Sequence, residues 1–302
     1  MNVNFELYKI FYYAAKNLNY SNAAKELYVS QSSISQNIKS LEAQLGSKLF
    51  YRAGKGVHLT EEGKLLFSYI EKAFHIIKSG EKNMESLNSL ETGTIRIGAS
   101  DTICKYFLFD ALKEFHTLYP KVNITINNRP SSLSLNMVNK GLMDVGIINI
   151  NPDVSNPGTD ILKFKSFNSV FIASEERFGY LKGKILSLEE LANLPLISLE
   201  KDSTTRRILD KFLKERQLGI HPEFEFGSMD LILEMTKLNV GVGFVAEPAA
   251  DSILDEGVFK LHLKESLPSI DIGIVYNNSI PQTIATKTFI NLLNTYGDIQ
   301  GK

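Results

Sequence analysis

The sequence predicts an α/β protein with an all-α N-terminal part. Three observations carry that expectation. Apolar residues fall at helical spacing up to Leu45, a long proline-free heptad stretch runs from residue 60 to about 90, and strands alternate with helices from Thr92-Gly93 onward. At 302 residues the chain is long enough for two or three compact units. No apolar run approaches membrane length and the start, MNVNFELYKI, lacks a signal-peptide core, so a cytoplasmic protein with no membrane partner is expected.

The first elements are three short helices. Phe5, Tyr8, Phe11, Tyr12 and Ala15 form one apolar stripe; Ala23, Ala24 and Leu27 form a second; after a break at Tyr28-Val29, Ile34, Ile38, Leu41 and Leu45 form a third. Ser21 and Ser30 stand where N-caps belong, and Val29 is expected to plug the corner between the last two helices. Gln31, Ser32, Ser35, Gln36 and Lys39 gather on the polar face of the 31–45 helix, toward its N-terminal end. Gln can pair with N6 and N7 of adenine, Ser with several base edges, and a helix N-terminus favours phosphate, so this resembles a helix-turn-helix recognition helix. A merely solvated Ser/Gln face is the alternative, and the next segment weighs against it. From Lys48 to Thr60, two extended pieces flank a basic, glycine-marked turn, Arg52-Ala53-Gly54-Lys55-Gly56, which reads as a wing whose cations meet phosphates or a minor groove.

On these residues the first 90 positions resemble the DNA-binding end of a LysR-type transcriptional regulator. The resemblance is carried by Ala23-Ala24, Leu27, Ser30-Gln31, Ser35, Ile38, Leu41-Glu42, Leu45-Gly46, Leu49-Phe50, Arg52 and Leu59-Thr60-Glu61-Glu62-Gly63. It implies that the positions of Gln31, Ser32, Ser33, Ser35 and Gln36 approach DNA and that Arg52 sits in the wing. With the flanking groups, the candidate DNA contacts are Ser30, Gln31, Ser32, Ser33, Ser35, Gln36, Lys39, Arg52 and Lys55. Two departures matter: Ser32 stands where proline is common, and Gln36 where arginine is common. Arginine reads guanine whereas glutamine suits adenine, so the operator bases facing Gln36 are open. Residues 1–60 hold seven bases against three acids, or +4, in a chain of formal net charge −1, so the positive potential is local.

Thr60 can cap a helix whose first residues, Glu61 and Glu62, suit the positive end of its dipole. Along it Leu66, Ile70, Ala73, Ile77, Gly80, Met84 and Leu87 fall at alternating four- and three-residue steps, a heptad seam expected to pair two chains. An amphipathic helix packed on its own domain is the alternative. By resemblance this is the regulator's linker helix, giving a homodimer and, as the family commonly assembles, a homotetramer.

Beyond it, strands are expected at 95–99, 122–126 and 144–150 with helices at 103–118 and 131–140 between them, a parallel βαβαβ unit. A second set follows: strands near 161–164, 167–173, 196–199, 223–226 and 242–246, with helices at 187–193, 203–217 and 229–239. Strand 270–276 and helix 281–296 are expected to return to the first set. Asn151-Pro152 and Asn156-Pro157-Gly158 mark a turn-rich crossing between the two. The expected organisation is a winged helix-turn-helix at 1–60, a linker helix at 61–90, and a two-lobed α/β effector domain at 91–302. Lobe 1 is expected at about 91–161 and 268–302, and lobe 2 at about 162–267.

By resemblance the last part is the effector domain of these regulators, similar to type 2 periplasmic binding proteins, with ligand held between lobes. Hydroxyls stand at the matching strand and helix ends: Ser100 and Thr102, Ser131 and Ser132, and Ser203, Thr204 and Thr205 with Arg206 beside them. Helix amides, hydroxyls and a guanidinium suit a small anion, although each hydroxyl has simple capping as its alternative. Asp101 can cap, oppose an anion, or bind the amine of a zwitterion.

Other chemistry is thin. Five scattered histidines and the lone Cys104 offer no metal-ligand spacing and no internal disulfide, and no cofactor or catalysis is expected. Cys104 reads as a small apolar residue, with a redox-sensing thiol as the alternative. Gly241-Val242-Gly243 follows a helix and precedes a strand, the reverse of a dinucleotide loop. The expected function is regulation of transcription at a double-stranded DNA operator, modulated by a small anionic effector. The rival is an enzyme or solute-binding protein of the same two-lobed fold with a helical dimerisation arm.

Overall fold

A computed structural model describes residues 3–53, 56–86, 93–151 and 159–297. Residues 1–82 form one compact unit and residues 83–302 another.

The first unit contains helices α1 (Phe5–Asn17), α2 (Tyr20–Leu27) and α3 (Gln31–Leu45), strands β1 (Phe50–Ala53) and β2 (Gly56–Leu59), and most of α4 (Glu61–Ser86). Phe11, Ile34, Leu41 and Leu49 are fully buried at its centre, with Leu66, Phe67 and Ile70 of α4 packed against them. Two local expectations need correction. Asn19, not Ser21, caps α2, because its Oδ1 reaches the amides of Ser21 and Asn22. Val29 does not plug the corner: it is 44% exposed, and the turn is made instead by Tyr28 in a left-handed conformation (φ 55°). α3 closes on Gly46 (φ 70°), a conformation glycine adopts without steric cost.

Strands β1 and β2 pair antiparallel, with Arg52 opposite Val57. Glu42, near the end of α3, is 7% exposed; its carboxylate accepts the amides of Leu49 (2.9 Å) and Phe50 (3.3 Å) and the Lys48 ammonium (2.7 Å), tying helix to strand. Thr60 caps α4 through the Gly63 amide and donates its hydroxyl to Lys48 O. A Cβ on Gly63 would lie 2.1 Å from the Leu49 carbonyl oxygen, so glycine is what permits α4 to start against the strand backbone.

The second unit continues with β3 (Gly93–Ala99), then a helical stretch comprising α5 (Asp101–Ile103), a π-helical turn (Cys104–Leu108) and α6 (Phe109–Leu118). Next come β4 (Val122–Asn128), α7 (Ser131–Asn139), β5 (Val145–Asn149), β6 (Thr159–Phe167) and β7 (Ser169–Ser174). α8 (Glu175–Phe178), β8 (Ile185–Leu186), α9 (Leu188–Ala192), β9 (Leu196–Leu199), α10 (Thr204–Lys214), β10 (Phe224–Phe226), α11 (Met229–Lys237) and β11 (Val242–Ala246) follow. The chain closes through α12 (Glu247–Asp251), β12 (Val258–Lys260), β13 (His262–Leu263), β14 (Ile270–Asn277) and α13 (Ile284–Tyr296).

Two five-stranded sheets result, ordered β4-β3-β5-β14-β6 and β10-β9-β11-β7-β12. Three strands of each run parallel, as βαβ crossovers dictate, while β14 and β6 in one sheet, and β7 and β12 in the other, lie antiparallel to their neighbours. The sheets are thus mixed rather than purely parallel. Strand β14 sits between β5 and β6 in the first sheet, and β6 leads through Asn168 directly into β7 of the second. One apolar core runs from lobe to lobe, from Ile97, Ile147 and Phe289 to Ile172, Ile197 and Val245.

Candidate nucleic-acid interface and ligand cleft

Helix α3 begins at a closed cap. Ser30 Oγ accepts the Ser33 amide (3.1 Å) and lies 2.8 Å from Ser32 Oγ. At about 100° per residue, Gln31, Ser32, Ser35, Gln36 and Lys39 share one face. Gln31, Ser32, Gln36 and Lys39 are exposed and Ser35 is half-buried. Gln31 Oε1 takes a hydrogen bond from Ser21 Oγ (3.0 Å), which leaves its amide NH2 free to donate. Ser33 falls on another face and its hydroxyl accepts from Asn37 Nδ2 (3.3 Å), so it is not gathered with the others. Arg52 is exposed on β1, and among the described residues neither it nor Lys39 forms an ion pair. Lys55 lies outside the described residues. Tyr20 packs edge-on against Phe50 (5.5 Å), and burial pushes its hydroxyl up to about 12, so it stays neutral beneath the face.

The long helix turns a different face outward from the one its heptads suggest. Tyr12 of α1 stacks on Phe74 (4.4 Å) and Phe67 (6.0 Å), and Leu66 and Ile70 pack into the unit's own core. The large apolar side chains left exposed on α4 are Leu65, Tyr69, Ile76, Ile77 and Met84. Of the expected seam, Ile77 and Met84 are on this surface, Leu66 and Ile70 are turned inward, and Leu87 lies outside the described residues. The turn-rich stretch at 152–158 lies outside them as well, and it is not the crossing between lobes: the strands before and after it, β5 and β6, belong to the same sheet, so the first lobe extends to Phe167 and the chain crosses at Asn168.

In the second unit a cavity of about 260 Å³ opens at the carboxyl ends of β3 and β5 and the amino ends of α7, α10 and α11. Ser100, Asp101, Thr102, Ser131, Ser203, Thr204 and Thr205 line it, so seven of the nine expected residues are brought together. Ser132 instead faces an adjoining cavity of about 250 Å³, which shares Ser131, Asn149 and Thr204 with the first. Arg206 needs correction: it is 2% exposed and does not line the cleft. Its guanidinium is spent on Asp210 (2.7 Å), Ser198 Oγ (2.7 Å) and Glu225 (2.9 Å). The cleft's guanidinium is Arg129, which sequence reasoning missed, along with Asn149 and Glu200. Arg129 and Asn149 follow or end strands at the mouth of the sheet, a position that general rules for α/β clefts could have flagged.

The amino ends of α7, α10 and α11 share an omission. No side chain closes the first turn of any of them, whereas Asn4, Asn19, Ser30 and Thr283 do so elsewhere. Ser131 Oγ accepts the Asn149 amide (3.0 Å) instead, and Ser228 Oγ donates to Asp101 Oδ2 (3.1 Å). Unpaired first-turn amides beside Arg129 give the cleft positive potential suited to an oxyanion. Cys104 is buried and its thiol is pushed up to about 11 by that burial, with Asp101 adding to the effect. Among the described residues, no cluster of three His, Cys, Asp or Glu is placed to hold a metal, and no helix is long and apolar enough to cross a membrane.

Comparison with known proteins agrees with both halves. Residues 5–64 match the model of the bacterial regulatory helix-turn-helix proteins of the lysR family, and residues 88–297 match the LysR substrate binding domain. Among curated relatives, a probable RuBisCO transcriptional regulator of Cyanidium caldarium is 27% identical over 281 residues, covering 89% of this chain and 86% of that one. The HTH-type transcriptional activator CmpR of Synechocystis is 27% identical over 301 residues, covering 97% and 95%. Among solved structures, ArgP from Mycobacterium tuberculosis superposes with a TM-score of 0.72 at 15% identity, covering 98% of this chain and 97% of that one. CbnR, a LysR family transcriptional regulator, does so with a TM-score of 0.67 at 17% identity, covering 98% and 100%. With a helix-turn-helix at one end, a two-lobed binding domain at the other and both family models matched, the chain belongs to the LysR family of DNA-binding transcriptional regulators.

Proposed function

We propose that Gln31, Ser32, Ser35 and Gln36 read an operator from the major groove while Lys39 and Arg52 neutralise phosphates, and that a small oxyanion-bearing effector binds in the cleft. The observation that carries the DNA half is the largely exposed polar face of a capped helix, with the Gln31 amide NH2 free to donate, beside a wing cation. For the cleft it is the convergence of α7, α10 and α11, whose first turns no side chain closes. The chain acts as a homodimer through the exposed stripe of α4, which two copies bury against each other, and such dimers assemble further into a tetramer. A twofold dimer presents recognition helices to half-sites roughly 34 Å apart, or a multiple of that.

Gel-shift titration against the DNA upstream of its own gene tests the reading. Binding should fall steeply with salt. Gln31→Ala should weaken it selectively at one base pair, by about 1–3 kcal/mol, and Arg52→Ala uniformly, with the salt slope reduced by about one. Weak association indifferent to sequence and to both substitutions would refute it.

A further inference from the structure

The cleft is not simply positive. Its lining holds Arg129, but also Asp101, Glu200 and Asp202. Asp202 is engaged by Arg207 (3.1 Å), whereas among the described residues the Glu200 carboxylate has no hydrogen-bond or ion-pair partner. Asp101 uses one oxygen on Ser228. The neighbouring Gly227 lies under the Glu200 carboxylate, where a Cβ would stand 3.6 Å from Oε1, so both acids belong to one wall around the Gly227–Ser228 turn.

A third acceptor belongs to the same place. Strands β3 and β5 pair in register Ala99↔Ile147, and two residues further on their carboxyl ends carry Asp101 and Asn149. Asn149 donates its Nδ2 to Thr205 Oγ1 (3.1 Å), and its Oδ1 is shut off from solvent with no partner. A buried acceptor left unmade is costly, and a plain anion cannot satisfy it. A primary ammonium has three donors and no acceptor, which suits the free oxygens of Asp101 and Glu200 and, once the Asn149 side chain turns its Oδ1 into the cavity, that acceptor as well.

We infer that the effector is a zwitterion of the amino-acid kind: its ammonium is held by Asp101, Glu200 and Asn149, and its acid group by Arg129 and the amino ends of α7 and α10. The inference rests on the reading of the cleft as an anion site and adds the cationic half of the ligand. It accounts for carboxylates that would otherwise repel an anionic effector. It also gives Asn149 a role that brings the ligand into contact with a residue bonded to the other lobe.

Calorimetry on the full chain with matched pairs separates the two claims. The probes are L-glutamate and glutarate, L-aspartate and succinate, and 2-aminoethylphosphonate and ethylphosphonate. The amine should bind about tenfold or more tightly than its deaminated partner in at least one pair, the scale of a charge-assisted hydrogen bond. Glu200→Gln and Asp101→Asn should erase that preference without weakening the deaminated acid, while Asn149→Asp should keep or raise it. Deaminated acids that bind as well as the amines would overturn the inference and leave the anion site standing. Loss of the amine preference in Asn149→Asp would overturn the acceptor role, and absence of binding by every probe would remove both claims.

Discussion

Replacing Glu42 tests how the recognition helix is fastened to the wing. The carboxylate is 7% exposed, while its ion-pair partner Lys48 has a side chain 76% exposed, so the charge pair itself contributes little. The weight falls on two backbone donors, the amides of Leu49 and Phe50, at 2.9 and 3.3 Å. Glu42→Ala strands both inside the unit. At about 1–3 kcal/mol for each unsatisfied donor, and nearer the low end for the longer bond, the loss is about 3 kcal/mol, or about 100-fold in the local opening equilibrium. Glu42→Gln keeps a carbonyl acceptor and loses only the charge, for about 1 kcal/mol. Hydrogen exchange at Leu49 and Phe50 in the full chain reads this directly, since opening of the strand exposes those amides. The pH dependence follows the same chemistry. Burial opposes ionisation of Glu42, but the Lys48 bond and the two amides outweigh it and hold the carboxyl below its ordinary value. Its contribution is therefore complete above the unfolded-state value and is lost as pH falls through the lowered one. Glu42→Ala exchanging at the wild-type rate, or Glu42→Gln exchanging as fast as Glu42→Ala, would refute the reasoning.

Gly63→Ala should lower stability by about 1–3 kcal/mol, visible as a lower midpoint of the thermal transition that melts the first unit, because the new methyl meets backbone that cannot rotate away. Tyr69→Glu with Ile76→Glu should shift the chain toward smaller species in sedimentation velocity while leaving its far-ultraviolet spectrum unchanged, since both side chains are exposed in the single chain. An unaltered sedimentation coefficient would count against dimerisation through this stripe. Cys104 should resist iodoacetamide at pH 8 in the folded protein and react promptly in urea, because its thiol stays protonated up to about 11. Its burial adds stability that is present below the ordinary thiol value and declines as pH rises through that raised one.

Legibility in the sequence followed the range of the interactions. The stripes of α1, α2 and α3, the Ser30 cap and the Thr60 cap are set by residues within a turn or two of one another, and they can be read directly. Asn19 and Ser21 were both chemically fit to cap α2; which one does so depends on the helix starting at Tyr20, a matter of backbone geometry. Heptad spacing predicts a continuous seam on α4 because it does not reveal that Tyr12, far back in the chain, stacks on Phe67 and Phe74 and so turns a different face outward. Arg206 illustrates the same limit. Its position beside three hydroxyls suggested a ligand, but its partner Glu225 lies on β10, nineteen residues away, and a buried guanidinium with carboxylates in reach satisfies them first.

The cleft's own hydrogen bonds bear on how a ligand acts. Among the described residues, side-chain hydrogen bonds that join the lobes around it include Asp101 to Ser228, Asn149 to Thr205, Lys105 to Asp230 at 3.0 Å and Tyr106 to Ser252 at 3.5 Å. Two of these use side chains that line the cavity, so a bound molecule competes with or reinforces the bonds that set the angle between lobes. The chain crosses between lobes twice, at Asn168, where β6 gives way to β7, and again on the way from β12 to β14. A ligand can shift such an equilibrium only by its differential affinity for the two arrangements. Contacts made by one molecule to Asp101 and Asn149 on one lobe and to Glu200 and Thr204 on the other are the kind that differ between them. The adjoining cavity is lined from both lobes as well, by Ser131 and Asn149 on one and Thr204 and Arg207 on the other, but not by Asp101 or Glu200. Comparing small-angle scattering for ligands that need those two acids with ligands that do not would show which contacts set the angle.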